Sequence, residues 1–205
     1  MKVLVGCEYS GRVREAFRRL GHDAWSCDII ESSDQSKYHI QEDVLNVIHW
    51  NNWDLAIFHP PCTYLSRAGA RWLYPKSGQL CEHRYKKLLE GRELFMKLYN
   101  SDIPKIAIEN PTPFKIANLP KPSQIIQPYQ FGDPYTKRTL LWLKGLDPLN
   151  HTNIVESKGS WLPSNTSGFR KNQKHQRGFS KSSDYSLTFK GIAAAMAEQW
   201  GNYWS

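Results

Sequence analysis

The chain has 205 residues, a formal net charge of +8, 40% hydrophobic and 22% charged residues, and many aromatics, including eight Trp and ten Tyr. That length can bury a core of its own, so a single domain is expected, with the make-up of an ordinary globular protein. No apolar run approaches the ~20 residues needed to cross a bilayer, and "MKVLVGCEYSG" turns polar too early for a secretory signal. Cys7, Cys27, Cys62 and Cys81 show no CxxC spacing, which fits reduced thiols in a cytoplasmic setting better than a disulfide framework.

From the N-terminus, "KVLVG" (2–6) reads as a buried strand ended by a turn signal. "RVREAFRRLG" follows with Val13, Phe17 and Leu20 at helical spacing and Gly21 as a stop. "DAWSCDI" (23–29) predicts a second strand ending in an acid, and a short third strand is expected near His39. "DLAIF" (54–58) is a clear strand. Residues 82–100 carry Leu88, Leu89, Leu94, Phe95 and Leu98, the apolar stripe of an amphipathic helix. "KIAIE" (105–109) predicts another buried strand, and the prolines of 111–122 argue against regular structure there. "TLLWL" (139–143) predicts a strand and "FKGIAAAMAEQW" (189–200) a closing helix. Between them, 146–188 is polar and without periodicity, an excursion or small lobe on the core rather than a separate domain. The expected division is therefore a core over 1–145, the lobe over 146–188, and a closing segment over 189–205 packed on the core.

Buried apolar strands alternating with helices predict an α/β fold with a mainly parallel, doubly wound sheet, Rossmann-like in kind. In such sheets ligands lie beyond the carboxyl ends of the strands. "GCEYSG", "CD", "HPPC" and "ENP" all follow predicted strands and so collect on one edge. Cys62 alone is a small apolar residue after a stiff double-proline turn, and Glu109 alone is a surface acid or cap. Together on one edge they are the parts needed to activate an electron-poor ring, a thiolate that adds covalently and an acid that offsets the developing charge. Burial at a strand exit is expected to raise the pKa of Glu109. From Lys158 to Lys190 there are seven Lys or Arg and one acid, Asp184. This stretch is either a solvated basic loop or a surface that attracts a phosphate backbone. The seven His are scattered, with no ligand pair at helical or finger spacing, so no metal is expected. His59, beside the PPC turn, is the one placed to tune Cys62.

In order along the chain, "VGCEYSGRVREAFRRLGHDAWSCDI", "HPPCTYLS", "IENP" and "FGDPYTKRTLLWL" resemble the ordered motifs of the DNA cytosine-5 methyltransferase family. They are closest to the small methyltransferase-like proteins common in bacteriophage genomes. The resemblance covers roughly 1–145, with a weaker echo in "GIAAAMAEQWGN". It implies a fold of the Rossmann-like methyltransferase kind and S-adenosylmethionine as cofactor. Cys62 would add to carbon 6 of a pyrimidine, Glu109 would hold or protonate ring nitrogen 3, and Asn110 would support the loop. Arg138, or Lys137 one residue earlier, would bind the exocyclic oxygen or position Glu109. The turn Cys7, Glu8, Tyr9, Ser10, Gly11 would wrap the methionine part of the cofactor, with Pro61 nearby. Asp28 would meet the ribose hydroxyls and Asp43 the adenine amino group. The family's loop has more glycines than "CEYSG", and Pro111 stands where the family has valine. Residues 139–188 are too few for the family's large target-recognition domain. Trp161, Phe169, Phe179 and Tyr185, interleaved with Arg170, Lys171 and Lys174, are then the candidates for base stacking and phosphate contact.

The leading expectation is methyl transfer to carbon 5 of a pyrimidine, cytosine in duplex or single-stranded DNA. The alternatives are a base-modifying enzyme acting on a free pyrimidine nucleotide and a non-catalytic nucleic-acid binder with a methyltransferase fold.

Overall fold

A computed structural model describes residues 1–50, 52–75, 78–159 and 187–202. One seven-stranded sheet organises them. It is built from β1 (Lys2–Gly6), β2 (Asp23–Asp28), β3 (His39–Gln41), β4 (Leu55–Phe58), β5 (Lys105–Pro111), β6 (Gln124–Ile126) and β7 (Thr139–Lys144). The spatial order is β3-β2-β1-β4-β5-β7-β6. The pairs β1–β2, β2–β3, β1–β4 and β4–β5 are parallel, and β7 runs antiparallel to both β5 and β6. The helices are α1 (Arg12–Arg19), α2 (Val44–Val47), α3 (Glu82–Tyr99) and α4 (Lys190–Gly201).

Alternation along the strands divides the core in two, because successive side chains leave a strand on opposite faces. Val3, Val5, Leu55, Ile57 and Ala107 face α1 and α4, where Phe17, Ile192, Met196 and Trp200 complete one buried layer. Leu4, Ala56, Phe58, Ile106 and Ile108 face the other way, onto Val47 of α2 and Leu88, Phe95 and Leu98 of α3. With both faces covered, the central strands need apolar side chains at every position, which is why they appear in the sequence as continuous runs. The fold is thus the expected α/β, mainly parallel, doubly wound and Rossmann-like.

Two local expectations are corrected. β6 lies at 124–126, where none was predicted, and a 3-10 turn forms at Lys115–Ala117 inside the proline-rich stretch. Pro111 itself ends β5, opposite Thr139. Proline is tolerated at such strand ends because no interior ladder bond is lost.

The chain runs outward from β1 to β3, then returns to place β4 on the other side of β1. The strand order reverses between β1 and β4, the position at which open α/β sheets bind ligands. The last helix is fixed to this region by three contacts. Arg12 Nη1 donates to the Thr188 carbonyl at 2.9 Å, and the Gly191 N–H donates to Asp133 Oδ2 at 2.9 Å. A Cβ on Gly191 would lie 1.8 Å from the Phe131 carbonyl oxygen, so only glycine fits there. Residues 153–159 run beside 129–136, tied by Val155 N–H to Tyr129 and Thr136 N–H to Gly159. The remaining part of the predicted lobe, 160–186, lies outside the described residues, and Trp161, Phe169, Arg170, Lys171, Lys174, Phe179 and Tyr185 with it.

Candidate active site

Beyond the carboxyl ends of β1, β2, β4 and β5 opens a cavity of about 850 Å³, within the ~300–1,000 Å³ usual for small-molecule and cofactor sites. Each of its walls follows from how a strand ends.

β1 stops at Cys7, whose left-handed backbone (φ 58°) turns the chain back into the fold. Glu8 is consequently buried, and its carboxylate accepts from the Val13 N–H at 2.7 Å and the Arg14 N–H at 3.3 Å. These are orphan amides of the first turn of α1, which Gly11 at the N-cap cannot satisfy because it has no side chain. The Glu8 carboxylate is thus committed to α1, although Glu8, like Cys7, Tyr9 and Ser10, lines the cavity. Burial first, and then the charges of Asp28 and Asp43, push the Cys7 thiol far above the ordinary thiol range, so it stays protonated.

β2 ends at Asp28 and α2 begins at Asp43, and both line the same wall. Asp43 Oδ1 caps α2 by accepting the Leu45 N–H at 2.9 Å, and the side chain is otherwise exposed. Asp28 Oδ1 makes only a long contact, 3.4 Å, with the Ile30 N–H. Two carboxylates with open lone pairs, close to the bend at Cys7, suit a ligand offering hydroxyl or amino donors.

The opposite wall is tied across strands. β4 and β5 pair with Phe58 opposite Ile108, so one step beyond each lie His59 and Glu109. Their side chains meet, His59 Nδ1 donating to Glu109 Oε2 at 3.1 Å. Asn110, almost fully buried, donates from Nδ2 to the Pro60 carbonyl at 3.0 Å and so holds the double-proline turn. Cys62 follows, half-buried, and its carbonyl accepts from the Leu65 and Ser66 N–H groups in a tight turn. The Phe114 N–H to Leu65 carbonyl bond at 2.7 Å fixes that turn to the segment after β5.

The electrostatics differ from the expectation for Glu109. Burial does act to raise its pKa, but the His59 hydrogen bond and the charges of Lys137 and His59 outweigh it, and the carboxyl is held below its ordinary range. Glu109 is therefore ionised at neutral pH rather than protonated. Burial pushes the Cys62 thiol up, the Glu109 charge pushes it further, and Lys137 pulls it partly back. Lys137 is thus the cation whose field reaches both groups, whereas Arg138 lies exposed on the cavity lining. Pro61 is exposed at the same lining. Among the described residues no group of three or more His, Cys, Asp or Glu is placed to hold a metal, and no helix is long and apolar enough to cross a membrane.

The structure brings together Cys62, Glu109, Asn110, Lys137, Arg138 and Pro61 on one side and Cys7, Glu8, Tyr9, Ser10, Asp28 and Asp43 on the other. Gly11, expected with them, caps α1 off the lining. The sequence left unseen the His59–Glu109 pair, since histidine was expected to act on Cys62. The available signal was that both residues directly follow apolar strands.

No family model matches the chain, and no curated protein matches it. Solved structures do. A prophage-encoded DNA modification methyltransferase from E. coli aligns over 70% of this chain and 46% of its own, with 16% identity and a TM-score of 0.45. The Entamoeba histolytica methyltransferase EhMeth aligns over 78% and 57%, with 16% identity and a TM-score of 0.49. A mutant of Spodoptera frugiperda DNMT2 aligns over 78% and 55%, with 15% identity and a TM-score of 0.40. The chain spans about half the length of these proteins.

Proposed function

We propose that the chain is an S-adenosylmethionine-dependent methyltransferase acting on carbon 5 of a pyrimidine base, cytosine in DNA, through a covalent adduct at Cys62. One observation carries this reading. A thiol and an ionised carboxylate from neighbouring strand ends share one cavity and one cation, Lys137.

Addition of a thiolate to carbon 6 makes carbon 5 nucleophilic, and splitting the reaction this way is the gain of covalent catalysis. Glu109, ionised, would accept from the amino group of the base and could hold ring nitrogen 3 only by first taking up a proton. Lys137 would offset the negative charge that the ring acquires. Asn110 keeps the thiol-bearing turn in place through Pro60. Arg138, on the exposed part of the lining, is available to a phosphate or an exocyclic oxygen.

The opposite wall fits the cofactor by its donor set. Asp28 would take the ribose hydroxyls, Asp43 the adenine amino group, and the bend Cys7–Ser10, with Pro61 opposite, the methionine portion. S-adenosylmethionine, when bound, supplies the methyl group that carbon 5 receives. A base inside a duplex must leave the stack to reach Cys62, and the basic aromatic stretch with Trp161, Arg170, Lys171 and Lys174 is the proposed contact for the strand.

The test is to incubate the protein with S-adenosylmethionine and oligonucleotides carrying 5-fluorocytosine, duplex and single-stranded, with the free nucleotide in parallel. Fluorine blocks the final loss from carbon 5, so a protein–base adduct should accumulate and map to Cys62, and Cys62→Ser should form none. No adduct with any of the three substrates, or an adduct at Cys7, Cys27 or Cys81, would overturn the reading.

A further inference from the structure

The turn that carries Cys62 also carries His59, and the two ring nitrogens of that histidine have different surroundings. Nδ1 donates to Glu109 at 3.1 Å. Nε2 is buried and has no hydrogen-bond partner. The imidazole as a whole is nine-tenths buried, its side chain 9% exposed. An ionised carboxylate on Nδ1 fixes one ring proton there, so whenever the ring is neutral it is Nε2 that carries the lone pair. Buried acceptors are nearly always paired, and one left unpaired at a lined cavity asks for a reason.

We propose that His59 is the base that takes the thiol proton of Cys62 at Nε2, with Glu109 on Nδ1 fixing the tautomer. The electrophile in the scheme rests on the pyrimidine reading above. The arrangement has the nucleophile–base–orienter logic of activated thiols and hydroxyls, assembled from one turn and the neighbouring strand end. Cys62 needs such a base because it is half-buried and faces an anion. The double proline between the two residues limits the turn's freedom, which keeps thiol and imidazole on one short, stiff turn at the same cavity. Catalytic hydrogen bonds are often made only once substrate closes the site.

The charged and titratable groups that share this side of the cavity with His59 come from three elements. They are Glu109 from the end of β5, Lys137 and Arg138 from the segment leading into β7, and Cys62 from its own turn. As the S–H bond breaks, Nε2–H forms and the sulfur pair makes the S–C6 bond. The C5–C6 π pair moves into the ring, where Lys137 and the proton shared between Nδ1 and Glu109 offset its charge. After methyl transfer, carbon 5 gives up its proton to solvent and its C–H pair restores the C5–C6 double bond. The S–C6 pair then returns to sulfur, which recovers its proton from Nε2.

Two measurements on the full chain test this. The first is the rate of iodoacetamide alkylation mapped to Cys62 across pH 6–10, in the native protein and in His59→Asn. Asparagine keeps an amide able to donate to Glu109 but has nothing at the Nε2 position. Alkylation should be at least about tenfold slower in the variant at pH 7, with the gap closing towards pH 10 as the thiol ionises unaided. The second is adduct formation with 5-fluorocytosine DNA at pH 7, which should slow by about 10²-fold. A gap that stays constant with pH, or no gap, means that His59 only supports the fold and overturns the proposal. A pH-dependent gap without any adduct keeps the proton transfer and removes the pyrimidine reading instead. Should His59→Asn not fold, His59→Gln puts a non-basic amide at the Nε2 position instead, and the same pH-dependent gap is expected. Should neither fold, the native chain decides: alkylation of Cys62 that only tracks its thiolate fraction, with no excess rate at pH 7, overturns the proposal.

Discussion

The wall beyond β4 and β5 and the wall beyond β1 and β2 face one cavity, but they handle charge differently. On the first, His59 and Glu109 are 9% and 11% exposed, Asn110 is 1% exposed, and the groups are bonded to one another across strands. On the second, Glu8 is spent on α1, Asp43 gives one oxygen to α2, and Asp28 makes one long contact. Polar groups already bonded to one another inside the fold keep their geometry when a ligand arrives, which is what bond-making chemistry needs. Open carboxylates can instead exchange water for a ligand's hydroxyl or amino groups, which suits reversible holding. The comparison separates a preorganised wall from a receptive one.

The sharpest way to break this distinction is Glu109→Gln. Methyl transfer should fall by about 10²-fold or more, the scale of a lost acid–base group, while the fold survives because glutamine still accepts from His59. The Cys62 thiol should also move the other way from activity. Burial and the Glu109 anion both raise its pKa, so removing the anion lowers it, and a thiol titration should show the inflection at lower pH than in the native chain. An unchanged inflection would mean that Glu109 and Cys62 do not share a field.

Next in size is Asn110→Ala. Its buried amide is the donor to the Pro60 carbonyl, and leaving that carbonyl unpaired should cost about 1–3 kcal/mol. Denaturant unfolding should register the loss, and cofactor affinity should hardly change. If the loss appears in cofactor binding instead, the two walls are not independent.

The smallest effect on the folded chain is expected for Asp28→Ala, within about 0.5 kcal/mol because the carboxylate stabilises nothing buried. Its effect should appear only with ligand. A site-specific ligand at a hundredfold excess over its dissociation constant adds about 2.7 kcal/mol to native stability. The melting temperature of the native chain should therefore rise with S-adenosylhomocysteine, and most of that rise should vanish in the variant. A full rise in Asp28→Ala would remove Asp28 from the receptive wall.

Most of the framework was legible because doubly covered strands must be apolar at every position. β1, β4, β5 and β7 stand out for that reason, and α1 and α3 through their spacing. β6 was not legible, being three residues long between Pro122 and Pro128. It is held by β7 rather than by any pattern of its own. Cys62 and Glu109 could be placed on one edge from sequence, since both follow strands. Their charge relations could not, because these depend on β4 and β5 being neighbours in register. That adjacency sets His59 beside Glu109 and reverses the expected direction of the Glu109 pKa. The same adjacency leaves Nε2 of His59 without a partner, which no spacing rule reveals.

The fastening of α4 sets an order of events during synthesis. The cavity lining runs from Cys7 to Thr188, and the buried layer under β1 is completed by Ile192, Met196 and Trp200. A ribosome that has delivered every residue of both walls up to Arg138 has still not delivered the helix that covers one face of the sheet. Until then the apolar side of β1, β4 and β5 is open to solvent and to any other emerging chain. Docking of α4 against α1 is thus the step that covers this face of the sheet, and it brings Thr188, on the cavity lining, to Arg12.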